Sequence, residues 1–195
     1  MSEFKVYFLW GKDHILDYSE GYDHMLFILA LCAVYVLRDW KRVLILITAF
    51  TVGHSITLAL ATLNVISFRR EVVEFLISLT IFITALSNIF RKDEVYSDRK
   101  IQLNYVFALF FGLIHGLGFS STLRAMLSKH QSIVPPLLAF NLGLEFGQII
   151  IVVLFLVVCF IFVDLFGVSR RDWRLVVSSA IAGISFILLR ENTYW

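Results

Sequence analysis

Six long runs of apolar residues, separated by short polar segments, dominate the sequence. Each run is near the roughly 20 residues that a helix needs to cross the hydrocarbon core of a bilayer, and none has the alternating polarity of a barrel strand. The pattern predicts an all-α polytopic membrane helix bundle that forms a single domain. The predicted spans are residues 21–37, 43–66, 72–90, 101–127, 134–166 and 175–189.

Residues 1–20, ahead of the first span, mix charged and apolar side chains. Lys12 and Asp13 lie close to Phe8 and Trp10 in this segment. Such a mixture is typical of a short amphipathic helix that lies at the membrane interface, and a lid over the bundle is the more specific alternative.

Composition agrees with the span pattern. Hydrophobic residues make up 59% of the chain and charged residues 16%, against roughly 45–50% and about 25% in soluble domains. The mean hydropathy is +0.82. A soluble domain and a disulfide scaffold are therefore excluded, and the lipid bilayer is a predicted partner. The net charge of +2 is spread over the loops without a basic groove, so nucleic acid is not a predicted partner.

Lysine and arginine distribution predicts the orientation. The loops after the first, third and fifth spans carry ten of these residues, and the other side carries seven. Because positive charge favours the cytoplasmic side, both termini are predicted to lie outside a bacterial inner (cytoplasmic) membrane.

Ionisable side chains within the spans are almost all acids and histidines. Each costs about 2.5 kcal/mol or more in hydrocarbon, so each is a candidate functional group. Arg124, near a span end, is the one basic exception. A set of carboxylates and imidazoles predicts a cation site, either for a proton or for a divalent transition metal such as nickel or zinc. The set comprises Asp23, His24, His54, Glu74, His115, Glu145 and Asp164.

Depth in the membrane selects the candidate metal ligands from this set. His54 and His115 lie about halfway along their spans, and Glu145 lies about 16 Å along its helix. Asp23 and His24, in the first turn of the first span, approach the same level from the outer side. These five residues are the predicted ligands.

Polar neighbours add to the predicted site. Asn141 and Gln148 share one helical face with Glu145, and Ser55 adjoins His54. Such groups orient metal-binding imidazoles.

Simpler roles compete for several candidates. Asp23 suits a helix cap, and Glu74 either lies above the site or pairs with Arg70 one turn earlier. His14, outside the spans, is a candidate recruiting ligand.

Four segments in order resemble the HupE/UreJ family of bacterial membrane proteins: GYDHMLFILAL, TAFTVGHSITLALA, FGLIHGLGFSSTL and FNLGLEFGQ. The resemblance covers nearly the whole chain. It implies an accessory role for hydrogenase or urease, with nickel permease activity. The family's hallmark residues fall here on Asp23, His24, His54, His115 and Glu145.

Three functions fit the predicted site. The first is a transition-metal permease or facilitator, working alone, as a homo-oligomer or with a membrane partner protein. The second is an intramembrane zinc hydrolase acting on a lipid or membrane-protein substrate, with Glu145 or Asp23 as general base. The third is a non-catalytic assembly factor with a structural metal. The resemblance favours the permease.

Overall fold

A computed structural model describes residues 2–17, 21–91, 98–126 and 132–194 of the chain. Within these ranges the regular structure is helical and no strand occurs, so the predicted all-α fold is confirmed. A 3₁₀ turn, Leu37–Asp39, precedes the third helix, and a π-helical turn, Ile161–Leu165, prolongs the seventh. The helices are α1 (Glu3–Leu16), α2 (Tyr22–Cys32), α3 (Trp40–Thr62), α4 (Arg70–Ile89), α5 (Asp98–Gly118), α6 (Ser120–Met126), α7 (Val134–Phe160) and α8 (Arg170–Glu191).

Four helical segments are long and apolar enough to cross a membrane. They correspond to the second, third, fifth and sixth predicted spans, and comprise Leu37–Thr62, Arg70–Ile89, Val134–Leu165 and Arg170–Glu191. Two shorter apolar helices, Tyr22–Cys32 and Asn104–Gly118, fall within the first and fourth predicted spans. The fourth predicted span is interrupted at Phe119, where α5 gives way to α6.

The segment ahead of the first predicted span packs against the bundle core, where the sequence predicts an interfacial helix. Gly11 of α1 faces Phe140 of α7, and Gly147 faces Ile15 further along both helices. The two helices therefore run in the same direction. The absence of a side chain at Gly11 lets the backbones approach closely, which a mixed-polarity composition does not reveal.

α1 and α2 together accompany α7 along most of its length. α2 has 11 residues, or about 16 Å of helix, which is too short to cross a bilayer alone. The Cys159 thiol, at the far end of α7, lies 3.8 Å from the carbonyl oxygen of Tyr35, beyond the end of α2. The chain thus passes along α7 as two half-helices, with a break after Leu16.

Glycine contacts also join α3 to α5. Gly53 faces the carbonyl of Leu109, and Gly112 faces the carbonyl of Phe50. The same reciprocal arrangement joins α1 to α7, where Gly11 faces the carbonyl of Phe140 and Gly143 faces that of Phe8. In each pair a glycine packs on the carbonyl three residues before the partner's glycine. Because the helix backbones approach closely at these glycines, polar side chains next to the glycines in sequence also come close together.

The remaining long helices, α4 and α8, pack antiparallel. The rings of Phe82 and Phe186 lie 5.9 Å apart, and Asn192 Nδ2 donates to Ser78 Oγ over 2.9 Å. One end of the bundle, where α3 ends and α7 begins, is called here the Arg124 end, because Arg124 donates to the carbonyl of Ala61 there.

The opposite end of the bundle, where α4 ends and α8 begins, is called the Arg91 end. There Arg174 donates to the Arg91 carbonyl over 2.9 Å. The described parts of the loops with more lysine and arginine lie at this end, so the sequence predicts that it faces the cytoplasm.

Candidate metal centre

Four histidines from four helices meet in the middle of the bundle: His14 of α1, His24 of α2, His54 of α3 and His115 of α5. They are called here the histidine cluster. Each is at most 6% exposed. His24 is at the centre, with its ring centroid 5.1 Å from His14, 5.8 Å from His54 and 5.0 Å from His115.

A carboxylate orients the central histidine. His24 Nδ1 lies 2.7 Å from Asp23 Oδ1, which also accepts the backbone N–H of His24. With its proton on Nδ1, the His24 ring carries its lone pair on Nε2, which is buried and has no hydrogen-bond partner. Asp23 thus holds the orientation of the His24 ring, as carboxylates do for histidines in metal centres.

A hydroxyl on α4 lies beside the ring of His115. Thr80 Oγ1 donates to the carbonyl of Ile77 over 2.7 Å and lies 3.4 Å from His115 Nε2. Because the Thr80 hydroxyl donates its proton to the Ile77 carbonyl, Thr80 Oγ1 accepts a hydrogen bond from His115 Nε2. The lone pair of the His115 ring is then on Nδ1. This nitrogen is also buried without a partner.

The cluster is short of hydrogen bonds as a whole. Both ring nitrogens of His14 are buried without partners, and those of His54 are buried with only the Asn141 amide nearby. Each such group costs about 1–3 kcal/mol, so the arrangement gains from a ligand that accepts several lone pairs. Nevertheless, the part of the chain described here has no group of three or more His, Cys, Asp or Glu side chains positioned to hold a metal ion.

Two groups of aromatic rings enclose the histidine cluster. Toward the Arg124 end, the ring centroid of Phe119 is 4.0 Å from that of His14, and it stacks on Phe140 at 5.0 Å. Trp10 lies 5.0 Å from Phe119 and completes this outer layer. The rings are apolar, so they separate the imidazoles from that end of the bundle.

The inner aromatic layer covers the cluster toward the Arg91 end. It consists of Phe27, Phe50 and Phe111. The Phe27 and Phe50 rings lie 4.9 Å and 5.1 Å from the His115 ring, and 5.1 Å from each other. The Phe111 ring lies 5.6 Å from the Phe27 ring.

Glu145 and Gln148 meet α3 rather than the histidine cluster. Thr48 donates to Glu145 Oε1 over 2.7 Å, and Thr51 donates to Gln148 Oε1 over 2.8 Å. Among the described residues, no hydrogen bond or ion pair joins Glu145 to a histidine. The predicted shared face therefore forms a polar seam between α7 and α3.

Asn141 continues this seam toward the cluster. Its amide lies beside His54, while Nδ2 donates to the carbonyl of Leu137 over 2.9 Å. The amide oxygen Oδ1 is buried without a partner.

Two other predicted residues form hydrogen bonds with groups outside the cluster. Arg70 Nε donates to Glu74 Oε1 over 2.6 Å, so Glu74 makes the ion pair that its spacing allows. Ser55 adjoins His54 in sequence, but it donates to the carbonyl of Thr51 over 2.7 Å.

The sequence did not predict that His14 packs directly against the other histidines, because α1 was expected to lie outside the spans. Gly11, one turn before His14, is the local signal of close helix packing. It also missed Thr80 and both aromatic layers. With 19 phenylalanines in the chain, nothing in the sequence marks the few that enclose the histidines.

A family model described as HupE / UreJ protein matches residues 1–192. No curated protein matches the chain. No solved structure matches it either.

Proposed function

The chain belongs to the HupE/UreJ family, and from that premise we propose that it is a transition-metal permease or facilitator with nickel as its principal cargo. The ion passes through the histidine cluster, where His24, His54 and His115 bind it with help from His14 and Asp23. Nitrogen ligands beside a carboxylate suit nickel, cobalt or zinc better than magnesium or calcium.

One observation carries the proposal: each of the four clustered histidines has a buried ring nitrogen without a hydrogen-bond partner. A divalent ion binds several such lone pairs at once. A single N–H or O–H group of the protein forms a hydrogen bond with only one of them. A proton satisfies a single ring and leaves the others unpaired, so the arrangement favours a metal.

The spacing of the rings supports the same cargo. Two imidazoles bound to one ion at about 2.0–2.1 Å have ring centroids roughly 5 Å apart in tetrahedral geometry. The distances from His24 to its three neighbours are 5.0–5.8 Å. These distances allow His24 and a neighbouring histidine to bind one ion together once their rings rotate.

The enclosing aromatic layers favour transport over hydrolysis. A hydrolase needs substrate access and a carboxylate free to act as base. Asp23 is bonded to His24, and Glu145 is bonded to Thr48. A centre closed toward both ends suits an ion that is held between two gates.

The proposal is tested by measuring bound nickel and nickel uptake with the purified protein in liposomes. We expect the wild type to bind nickel and to carry it into the liposomes, and His54→Ala/His115→Ala to do neither. Zinc that stays bound through purification, without any uptake, would support the hydrolase or the structural role instead. Equal uptake by the wild type and the double variant would exclude the cluster as the route.

Thr80 offers a milder test of the same centre. We expect Thr80→Val to weaken nickel binding roughly 10-fold, because the His115 ring loses the hydroxyl that orients it. Titration calorimetry in detergent measures the change. Thr62→Val is the matched control, since Thr62 is also buried and donates to a helix carbonyl, that of Leu58. An equal loss in both variants would count against a specific role for Thr80.

A further inference from the structure

A cavity of about 140 Å³ lies at the Arg124 end, between the last turn of α3, the loop that follows it and the junction of α5 with α6. One water molecule needs roughly 10–15 Å³, so the cavity has room for a group as large as a phosphate. Its polar lining comprises Ser67, Ser120 and Arg124. The described residues that line it thus combine one positive charge with two hydroxyl groups and include no carboxylate.

The positive charge of the cavity has no carboxylate partner, unlike that of the two arginines that follow the loop. Arg69 Nε lies 3.6 Å from Glu71 Oε2. Arg70 Nε lies 2.6 Å from Glu74 Oε1. Among the described residues, no carboxylate lies within such a distance of Arg124. Because an unpaired cation near hydrocarbon is costly, an anion bound in the cavity would be favourable.

The Arg124 guanidinium also keeps hydrogen-bond donors for such an anion. It donates to the carbonyl of Ala61, in the last turn of α3. A guanidinium has five N–H groups in a planar fork, so this bond leaves several of them for a ligand. A fork of this kind matches two oxygens of one phosphate group.

Apolar side chains of the same loop lie beside this polar lining. Leu63, Val65 and Phe68 are 56%, 66% and 60% exposed, and Phe68 and Ile66 line the cavity. At the end of a membrane-spanning helix, such side chains meet the boundary between lipid headgroups and acyl chains. The cavity therefore has the polarity of a phospholipid, which carries a charged headgroup next to hydrocarbon.

We propose that this cavity binds the phosphate group of an anionic glycerophospholipid from the leaflet at the Arg124 end. Arg124 donates to two phosphate oxygens, and the Ser67 hydroxyl donates to a third. The acyl chains lie against Phe68 and Leu63. This lipid site is separate from the histidine cluster, and it does not depend on the proposed permease function.

Native mass spectrometry of the purified protein, titrated with phosphatidylglycerol in detergent, tests the proposal. We expect the wild type to retain one phosphatidylglycerol, and Arg124→Gln to bind it at least roughly tenfold more weakly, because charge-assisted hydrogen bonds are lost. Phosphatidylcholine should also bind more weakly, since its choline group is cationic. Arg190→Gln is the matched control, because it removes an exposed arginine from the last turn of α8 at the same end of the bundle.

Equal retention of phosphatidylglycerol by Arg124→Gln and Arg190→Gln would overturn the proposal. Displacement of the lipid by an equal concentration of inorganic phosphate would also overturn it, in favour of a site for a free anion. If Arg124→Gln does not fold, Ser67→Glu places a repelling carboxylate in the cavity without removing the bond to α3. Ser67→Gln has the same bulk without the charge, and equal lipid binding by these two variants would again contradict the proposal.

Discussion

Nickel binding and uptake are expected to be lost when His24 is replaced by alanine, more completely than for any other single histidine. His24 is the centre of the cluster, within 5.8 Å of the three other rings. Its loss also leaves the Asp23 carboxylate without the ring that pairs with it. We therefore expect affinity to fall by more than the roughly 10- to 100-fold that follows loss of an outer partner of a metal ligand.

Calorimetric titration with nickel, followed by uptake into liposomes, measures this loss. His130→Ala is the control, because the sequence places His130 in a polar loop and it lies outside the described residues. His14→Ala should fall between the two, since its ring contacts His24 from one side. If His24→Ala bound nickel as tightly as His130→Ala, the cluster would not be the metal centre.

The second large effect is expected from Gly112→Leu, which should abolish the folded bundle or leave it without bound metal. A Cβ at this position collides with the carbonyl of Phe50, and the obstacle is backbone, which cannot rotate away. Overpacking usually lowers the free energy of unfolding by about 1–3 kcal/mol. Because the Phe50 backbone cannot move aside, we expect this variant to lose as much as the top of that range or more. Separation of α3 from α5 would also part His54 from His115.

The matched control for this variant is Gly183→Leu on α8. A Cβ at Gly183 has no neighbour within 4 Å, so the added side chain meets open space. Thermal unfolding in detergent should show a large drop for Gly112→Leu and little change for Gly183→Leu. Equal melting temperatures would mean that the close approach of α3 and α5 is not needed for stability.

Hydrophobic patterning predicted most of the fold because burial in lipid demands long apolar runs. Placing an imidazole within an apolar run costs free energy, so a histidine in such a run is a candidate functional residue. His54 and His115 could be identified on this basis. The pattern predicted a short helix at α1 but not its packing partner, because its 14 residues pack against α7 by shape at Gly11.

The side-chain partners within the site lay beyond prediction from sequence. Glu145 shares the depth of the histidines, but depth along a helix does not say which neighbour a carboxylate reaches. In the structure that neighbour is Thr48. Likewise, the pairing of Asp23 with His24 depends on the local path of the chain at the start of α2.

The pairing of α1 with α7 has a consequence for how the protein is made. α1 leaves the ribosome before α7, its packing partner, which follows only after α2 to α6 have been synthesised. Until then the face that carries Gly11 has nothing to pack against, and α1 is too short to be held in the bilayer by its own hydrophobicity. We therefore expect His14 to be the last of the four clustered histidines to reach its position. A chain interrupted before α7 would lack the helix against which α1 packs, so the proposed metal centre would stay incomplete.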